Sequence, residues 1–321
     1  MKAIRRALWT LGVTLMLLFA ARGAHAQSCQ AVANPVSFGS VSPIANVAVT
    51  ATATISVTCT WPAVSLTPDV LVCLNLGGTS PRSLTNGSNS LSYDLYRDSG
   101  HTQAWGSTYS GTTPISLTMT KPSGTTLTTT VTVYGQVASS QPTVPTVNNA
   151  STVYTQGFGG NTTSINYGFY LLIAPTCASL GTGGTFPFTV TATVINNCNI
   201  TATNVAFGST GVLSSQLNAT GTITTVCTNG DAFKIALNGG TTGSVGARAM
   251  QRSGGGGTVN YQLYVDSNHS SAWGDGTGST NTQAGTGTGT QQVFTVYGRV
   301  PVQTTPEPGN YSDTITATIY F

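Results

Sequence analysis

Six cysteines are the residues in this sequence most suited to covalent chemistry: Cys29, Cys59, Cys73, Cys177, Cys198 and Cys227. The chain has no CxxC pair, and it has no Cys/His cluster at metal-ligand spacing, so disulfide bonds are the expected chemistry. Residues 1–26 support this expectation, because a basic start, an apolar run and an Ala-His-Ala motif predict a secretory signal. Such a signal leads to compartments where disulfides form.

Acid–base and nucleophilic chemistry has much weaker support. Beyond the signal, only His101 and His269 remain, at matching positions of a repeat and without a repeated Cys or Glu partner. A Ser-His-Asp set could be drawn with Asp98 and His101, but hydroxyls are so abundant that the match carries little weight. No Walker loop or HExxH motif occurs, and the eight acidic residues do not cluster. The sequence therefore predicts no enzyme, no metal and no cofactor.

Composition limits the fold class and the partners. Residues 27–321 contain seven basic and eight acidic residues, and charged residues make up 6% of the whole chain. This near-neutral surface offers no basic stripe for phosphates, so no nucleic acid partner is expected. Beyond the signal, no apolar run reaches the roughly 18 residues of a membrane helix. Abundant Thr, Val, Gly and Asn favour strands joined by turns.

The second half of the chain repeats the first at an offset of 169 residues. A Phe-Gly-Ser motif follows Cys29 and Cys198 at the same distance, and Tyr-x-Leu-Tyr-x-Asp or its close variant, Ala-Trp-Gly and Val-Tyr-Gly follow in the same order. Between these motifs, short segments alternate with period two. The repeat predicts an all-β protein of two tandem immunoglobulin-like sandwiches, residues 27–197 and 198–321.

The repeat also organises the cysteines. It pairs Cys29 with Cys59 and Cys198 with Cys227, which leaves Cys73 to pair with Cys177. The closing Thr-x-Thr runs 189–194 and 314–319 match as well, but the first lies about 38 residues further from its Val-Tyr-Gly motif. We therefore expect an insert at about residues 144–183, tied to the first sandwich by the Cys73–Cys177 disulfide.

These motifs, with the closing segment 309–321, resemble the spore coat protein U domain family. In Gram-negative bacteria this resemblance implies subunits of archaic, Csu-type chaperone–usher pili. It also implies immunoglobulin-like folds that lack one strand. A periplasmic chaperone lends the missing strand first, and a neighbouring subunit lends it later. The second domain is accordingly expected to lack one strand.

The start of the predicted mature chain places the subunit within such a fibre. Only Gln27 and Ser28 precede Cys29, and two residues span at most about 7 Å, too short for a donor strand. The expectation is a pilus tip adhesin that mediates attachment and biofilm formation and is exported through the periplasm to the cell surface. Its partners would be a chaperone, an outer-membrane usher, the donor strand of the next subunit and an abiotic or host surface. The alternatives are a secreted coat or matrix protein without adhesive function, and a secreted carbohydrate-active enzyme.

Three apolar segments of the first domain have no equivalent in the second, residues 61–66, 114–117 and 167–175. Exposed apolar patches often mark interaction sites, so these segments predict the binding surface. The candidate residues are Trp61, Val64, Leu66, Ile115, Leu117 and Phe169. Residues 170–173 could instead form a buried strand.

Overall fold

The computed structural model describes residues 27–321, and the predicted signal lies outside this range. Twelve strands make up its first part: β1 (Ser28–Ala33), β2 (Val36–Val41), β3 (Val49–Thr60), β4 (Asp69–Leu76), β5 (Arg82–Asn86), β6 (Asn89–Tyr96), β7 (Ile115–Thr120), β8 (Thr126–Val137), β9 (Thr152–Phe158), β10 (Thr163–Tyr170), β11 (Thr182–Gly184) and β12 (Phe188–Val194). Nine strands make up the rest: β13 (Cys198–Ala202), β14 (Leu217–Cys227), β15 (Ala232–Leu237), β16 (Arg248–Arg252), β17 (Thr258–Tyr264), β18 (Gln283–Thr286), β19 (Gln291–Val300), β20 (Tyr311–Ser312) and β21 (Ala317–Tyr320).

The helices of residues 27–321 are short 3₁₀ turns: Pro43–Ala45, Thr108–Ser110, Gly160–Thr162, Cys177–Ser179 and Gly240–Thr242. None of the helices in this part of the chain is long and apolar enough to cross a membrane.

The first domain is a sandwich of two sheets. Its larger sheet has the order β1-β3-β8-β6-β5-β9-β12-β2, and its smaller sheet has the order β11-β10-β4-β7. Strand β3 shows how the sequence directs this packing, because Ile55, Val57 and Cys59 are buried while Ser56 and Thr58 between them are half-buried. Alternation of this kind gives each strand one apolar face for the core.

The second domain repeats the plan with fewer strands. Its sheets have the orders β13-β14-β19-β17-β16-β20 and β18-β15-β21. A separate apolar cluster around Trp273, Ile235 and Leu263 lies between them. The fold class predicted from the repeat, two tandem all-β sandwiches, is confirmed.

The three predicted disulfides are present. Cys29 and Cys59 are directly opposite each other on β1 and β3, and Cys198 and Cys227 occupy the same positions on β13 and β14. The third bond joins Cys73 of β4 to Cys177 across 104 residues.

Strand pairing corrects the predicted insert at residues 144–183. Strand β10 pairs with β4 as β21 pairs with β15, and β9 pairs with β5 as β20 pairs with β16. The Tyr93 hydroxyl donates to Gln156 of β9, and the Tyr261 hydroxyl donates to Asp313 just after β20. Strands β9 and β10 therefore have counterparts, whereas β11 and β12 have none, and the match of 189–194 with 314–319 was wrong. A Thr-x-Thr run fixes which side chains face inward but does not identify the strand beside it.

Strand β12 completes the first sandwich. It runs parallel to β2 and antiparallel to β9, so it fills the space between them. In the second domain, residues 205–210 correspond to β2 but form no strand, and no strand lies between them and β20 within residues 27–321. Among the described residues, the second domain thus has no strand at the position that β12 occupies in the first.

Polar contacts join the two domains at one end of each sandwich. The Asn149 side chain donates to the Ala232 carbonyl and accepts from the Ala232 N–H, both at 2.7 Å. Asn229 donates to the Thr143 carbonyl at 2.7 Å. The Thr146 hydroxyl donates to the buried carboxylate of Asp231. These side-chain bonds fix the junction.

Candidate functional site

Three loops form the end of the first domain that is far from the junction. The β3–β8 ladder has twelve pairs: it begins with Val49 and Val137, where the chain continues into the junction segment, and it ends with Thr60 and Thr126. Twelve pairs span about 40 Å. Residues 61–68, 121–125 and 171–176 follow the distal ends of the strands. We call this end, formed by these three loops, the tip.

Backbone hydrogen bonds hold the loops of the tip together. The Trp61 N–H donates to the Thr125 carbonyl at 2.7 Å, and the Lys121 N–H donates to the Pro68 carbonyl at 2.8 Å. The third loop starts beside the first, because Tyr170 is directly opposite Asp69 in the β10–β4 ladder.

The tip exposes five large apolar side chains. Val64 and Leu66 of the first loop are 86% and 84% exposed, and Leu172 and Ile173 of the third loop are 87% and 86% exposed. Leu171 is 56% exposed. Scattered exposed leucines are common on proteins, but five apolar side chains at one end form the kind of patch that marks an interaction site.

The sequence-based binding residues divide between surface and core. Val64 and Leu66 are exposed, as expected. Trp61 is fully buried and Ile115 is only 7% exposed, so the expected exposure of these two residues was wrong. Leu117 and Phe169 are half-buried and pack against the core.

Strand geometry explains both corrections. Ile115 and Leu117 belong to β7 and lie opposite Leu74 and Val72 of β4, which places them within a sheet. Trp61 does precede a loop, but its indole packs edge-on against the Phe169 ring at 5.5 Å between centroids. The Trp61 side chain therefore lies in the core beside Phe169, and it does not face solvent.

Leu171, Leu172 and Ile173 lie in the predicted segment 167–175 but are not among its candidate residues. The alternative expectation of a buried strand at 170–173 is wrong, because β10 ends at Tyr170 and these three residues are exposed. Two sequence signals could have identified the loop. The three residues do not alternate, and Pro175 follows them closely, which disfavours a continuing strand.

Charge contributes little at the tip. Asp69 and Lys121 are the only charged residues among 61–69, 121–125 and 171–176. The Lys121 ammonium donates to the Gly124 carbonyl at 3.0 Å, and the Asp69 carboxylate accepts from the Thr120 hydroxyl at 2.7 Å. Because both groups bond to neighbouring residues, contact by the tip would be mainly apolar.

A groove in the second domain occupies the position that β12 fills in the first. It has a volume of about 410 Å³, and its apolar lining includes Val205, Phe207, Ile223, Met250 and Leu263. Val205 and Phe207 are half-buried here. Their counterparts beside β12, Val36 and Phe38, are 1% and 6% exposed. The groove is thus an unfilled part of the core.

One ionised group lies in the wall of the groove. Burial opposes ionisation of Asp313, but hydrogen bonds from Thr241 and Tyr261 outweigh it and lower the pKa of this carboxyl. Burial, and then the bond to Asp313, raise the pKa of Tyr261. The carboxylate is therefore negatively charged at neutral pH and the phenol stays protonated.

The two histidines have equivalent packing positions. The His101 ring meets the edges of Tyr96 and Tyr134, and the His269 ring meets those of Tyr264 and Tyr297, with centroids 5.1–6.4 Å apart. Within residues 27–321, no three His, Cys, Asp or Glu side chains are grouped as metal ligands. The two sites with a distinctive geometry are thus the tip and the groove.

Two solved structures illustrate what the chain is similar to, and the first of them shares its fold. A chain from the chaperone–tip adhesion subunit complex of Csu pili from Acinetobacter baumannii superposes with a TM-score of 0.53 at 16% identity, covering 92% of this chain and 100% of that chain. The CupB6 tip adhesin from Pseudomonas aeruginosa gives a TM-score of 0.37 at 9% identity, covering 91% and 94%. No curated protein matches the sequence.

The sequence itself carries a family signature. The sequence model of the Spore Coat Protein U domain matches residues 15–156 and residues 184–318. Together the two matches cover most of the chain, including the repeated Cys, Tyr and Trp-Gly motifs of both domains. The chain therefore belongs to the Spore Coat Protein U domain family.

Proposed function

We propose that the chain is the tip adhesin of a chaperone–usher pilus. Residues 27–197 would form the adhesive tip domain, and residues 198–321 would form the pilin-like domain that joins the next subunit. The observation that carries the proposal is that one chain has two different surfaces, one on each domain. A completed sandwich presents apolar loops at its free end, and an incomplete sandwich presents an open groove.

Strand addition explains how the groove would serve assembly. A sandwich that lacks a strand leaves backbone groups without hydrogen-bond partners and apolar side chains exposed to water. An extended donor segment pairs with the backbone groups and buries the side chains. The donors would be a periplasmic chaperone before export and the next subunit after passage through an outer-membrane usher. The similarity to a chain from a chaperone–tip adhesion subunit complex supports this class of partner. The protein would thus be exported through the periplasm to the pilus tip at the cell surface.

The tip would bind apolar surfaces, abiotic or on a host, and so promote attachment and biofilm formation. Fully burying a Leu or Ile side chain contributes about 1.5–3 kcal/mol. Several such side chains can exceed the cost of ordering a loop. Because the two charged groups at the tip bond to neighbouring residues, attachment should depend only weakly on salt.

Polar substitution of the tip tests the proposal. We expect the combined changes Val64→Ser, Leu66→Ser, Leu172→Ser and Ile173→Ser to lower attachment of piliated cells to plastic more than about tenfold per pilus, since each 1.4 kcal/mol corresponds to tenfold. Matched changes at exposed valines near the junction, Val47→Ser with Val153→Ser, should leave attachment unchanged. Pili counted with an antibody provide the normalisation. Unchanged attachment of the tip variant would contradict an adhesive role for the tip.

The family assignment also favours a second candidate, a secreted coat or matrix protein without adhesive function. The two candidates differ in their need for an usher. A tip adhesin should stay in the periplasm when the usher gene is deleted, whereas a coat protein should still appear outside the cell.

A further inference from the structure

The most exposed apolar residues of the tip lie on a segment that folds back onto its own strand. We call residues 171–181, which connect β10 to β11, the apolar finger. It carries Leu172 and Ile173, both more than four-fifths exposed. Strand β11 returns antiparallel to β10 and pairs with Ile165 and Asn166, so the C-terminal end of the finger, which we call its base, lies beside the first half of β10.

A disulfide fixes that base to the core. Cys177 is half-buried and lies four residues after Ile173, and its partner Cys73 is fully buried on β4, between β10 and β7. The Cα atoms of the two cysteines are 5.8 Å apart. The second domain has no cysteine at the position of Cys73. The carbonyls of Leu74 in β4 and Ile235 in β15 each accept from a tryptophan N–H, so these two residues correspond. The residue before Leu74 is Cys73, whereas the residue before Ile235 is not a cysteine.

Side-chain hydrogen bonds centred on the buried Asn166 hold the same base. The Asn166 side chain donates to the Leu180 carbonyl at 3.0 Å and to the Tyr109 hydroxyl at 2.7 Å. The Tyr109 hydroxyl also lies 2.6 Å from that of Thr182. Asn166 is completely buried, so an alternative position of the finger would leave its amide without these partners.

The finger also packs against the backbone of β10 at Gly168. A Cβ atom added at Gly168 of β10 would lie 2.6 Å from Cδ2 of Leu180 and 3.3 Å from Cγ of Pro175. A side chain at this position would therefore require Leu180 and Pro175 to move away from β10. By contrast, a Cβ at Gly157 of β9 would meet nothing within 4 Å.

We propose that the Cys73–Cys177 disulfide is a positioning device for adhesion. It holds Leu172 and Ile173 away from the sandwich in a conformation ready to bind, so that little chain entropy is lost on contact. The two domains have one equivalent disulfide each, and Cys73–Cys177 is an additional bond of the first domain. Pilus assembly does not depend on this additional bond. This inference rests on the proposed adhesive function of the tip.

The test uses full-length chains displayed on pili. The double variant Cys73→Ala with Cys177→Ser should keep the pilus count near that of the unmodified protein but lower attachment to plastic per pilus at least about tenfold. Limited proteolysis should then cleave within residues 171–181 much faster. A merely structural role would lower the unfolding temperature without this selective loss of attachment.

A second pair of variants leaves every disulfide intact. Gly168→Val should displace Leu180 and Pro175, expose the finger to protease and lower attachment. Gly157→Val places the same side chain in open space on β9, a strand of the larger sheet, and should change neither property. This pair decides the question if the cysteine variant is not exported.

The outcomes separate the inference from the function it rests on. If Leu172→Ser with Ile173→Ser abolishes attachment but the cysteine variant and Gly168→Val retain it, the positioning role is wrong and the adhesive tip stands. Unchanged cleavage of the finger in both variants would also overturn the positioning role. If the polar substitutions themselves have no effect, the adhesive tip fails and the inference fails with it.

Discussion

The two domains share their principal ladders, yet one is closed and the other is open. In the first, β12 lies between β2 and β9, and Val36 and Phe38 of β2 are buried. In the second, the matching residues Val205 and Phe207 are half-buried and belong to no strand. The segment equivalent to β2 is a strand in the domain where β12 supplies hydrogen-bond partners, and it is irregular in the domain whose described residues place no strand beside it. One seven-residue strand therefore separates a closed sandwich from one with an open groove.

A buried arginine marks a second difference. Arg82 forms an ion pair with Asp94 in the first domain and donates to the Trp105 carbonyl at 2.8 Å. Arg248 occupies the matching position in the second domain, but Gln262 and backbone carbonyls are its partners. The same cation is thus neutralised in one domain and only hydrogen-bonded in the other.

The largest expected effect comes from opening the first domain, which tests whether β12 accounts for the difference between the two domains. Val190 at the centre of β12 is fully buried, so Val190→Asp would place a carboxylate in the core. We expect a loss of about 4–5 kcal/mol or more, enough to release β12 and expose a groove like that of the second domain. Calorimetry of the full chain should show loss of the first domain's transition. Thr189→Asp adds the same charge on the exposed face and should change little; equal effects of the two would refute the completing role of β12.

Removing the partner of Arg82 should have the next largest effect. Asp94→Ala leaves a buried guanidinium without its carboxylate, which costs about 3–5 kcal/mol. Asp94→Gln copies the second domain, where a glutamine accepts from Arg248, and should cost less. Chemical denaturation of the full chain measures both. Equal losses in the two variants would mean that the amide arrangement of the second domain cannot be transferred.

A donor peptide should close the second domain. A peptide with the sequence of residues 185–196, which includes β12, should raise the second domain's unfolding transition and leave the first unchanged, because the first already holds this strand. At a hundred times its Kd the stabilisation would be about 2.7 kcal/mol. A peptide with Asp in place of Val190 and Ala192 is the control. If both peptides stabilise the second domain equally, binding in the groove does not depend on the apolar side chains at positions 190 and 192.

The smallest expected effect concerns pH at the junction. Burial raises the pKa of Asp231 from its usual 3.8, and the hydrogen bond from Thr146 opposes this only in part. The folded state therefore holds the proton more tightly than the unfolded state. This group's contribution to stability is greatest below pH 3.8 and is lost as the pH rises through the raised value. Asp231→Asn should flatten this part of the pH dependence of unfolding; a profile identical to that of the unmodified chain would contradict the assignment.

Much of the fold could be predicted from the repeat. Two copies of one motif order identify two domains, and they pair Cys29 with Cys59 and Cys198 with Cys227 without any coordinates. The third pair then follows because only two cysteines remain. Alternation along segments such as β3 also predicts which side chains face the core, since successive residues of a strand point to opposite faces.

The tip was predicted only in part. Val64 and Leu66 lie in a loop bounded by prolines, and prolines are readable signals of a loop. Trp61 is equally apolar and precedes the same loop, but it is buried because Phe169 of another strand packs against it. A contact between residues 108 positions apart leaves no trace in local pattern.

The sequence by itself determined the fold class, the disulfides and the alternation of each strand, because these depend on residue types at short spacing or on the repeat. Only the tertiary structure decided that residues 188–194 lie beside β2, that the insert begins after β10, and that Leu172 and Ile173 point outward. The physical reason is that alternation fixes the face of a strand but not its neighbour. Several Thr-rich runs fit the same space locally, and the choice between them depends on the whole core.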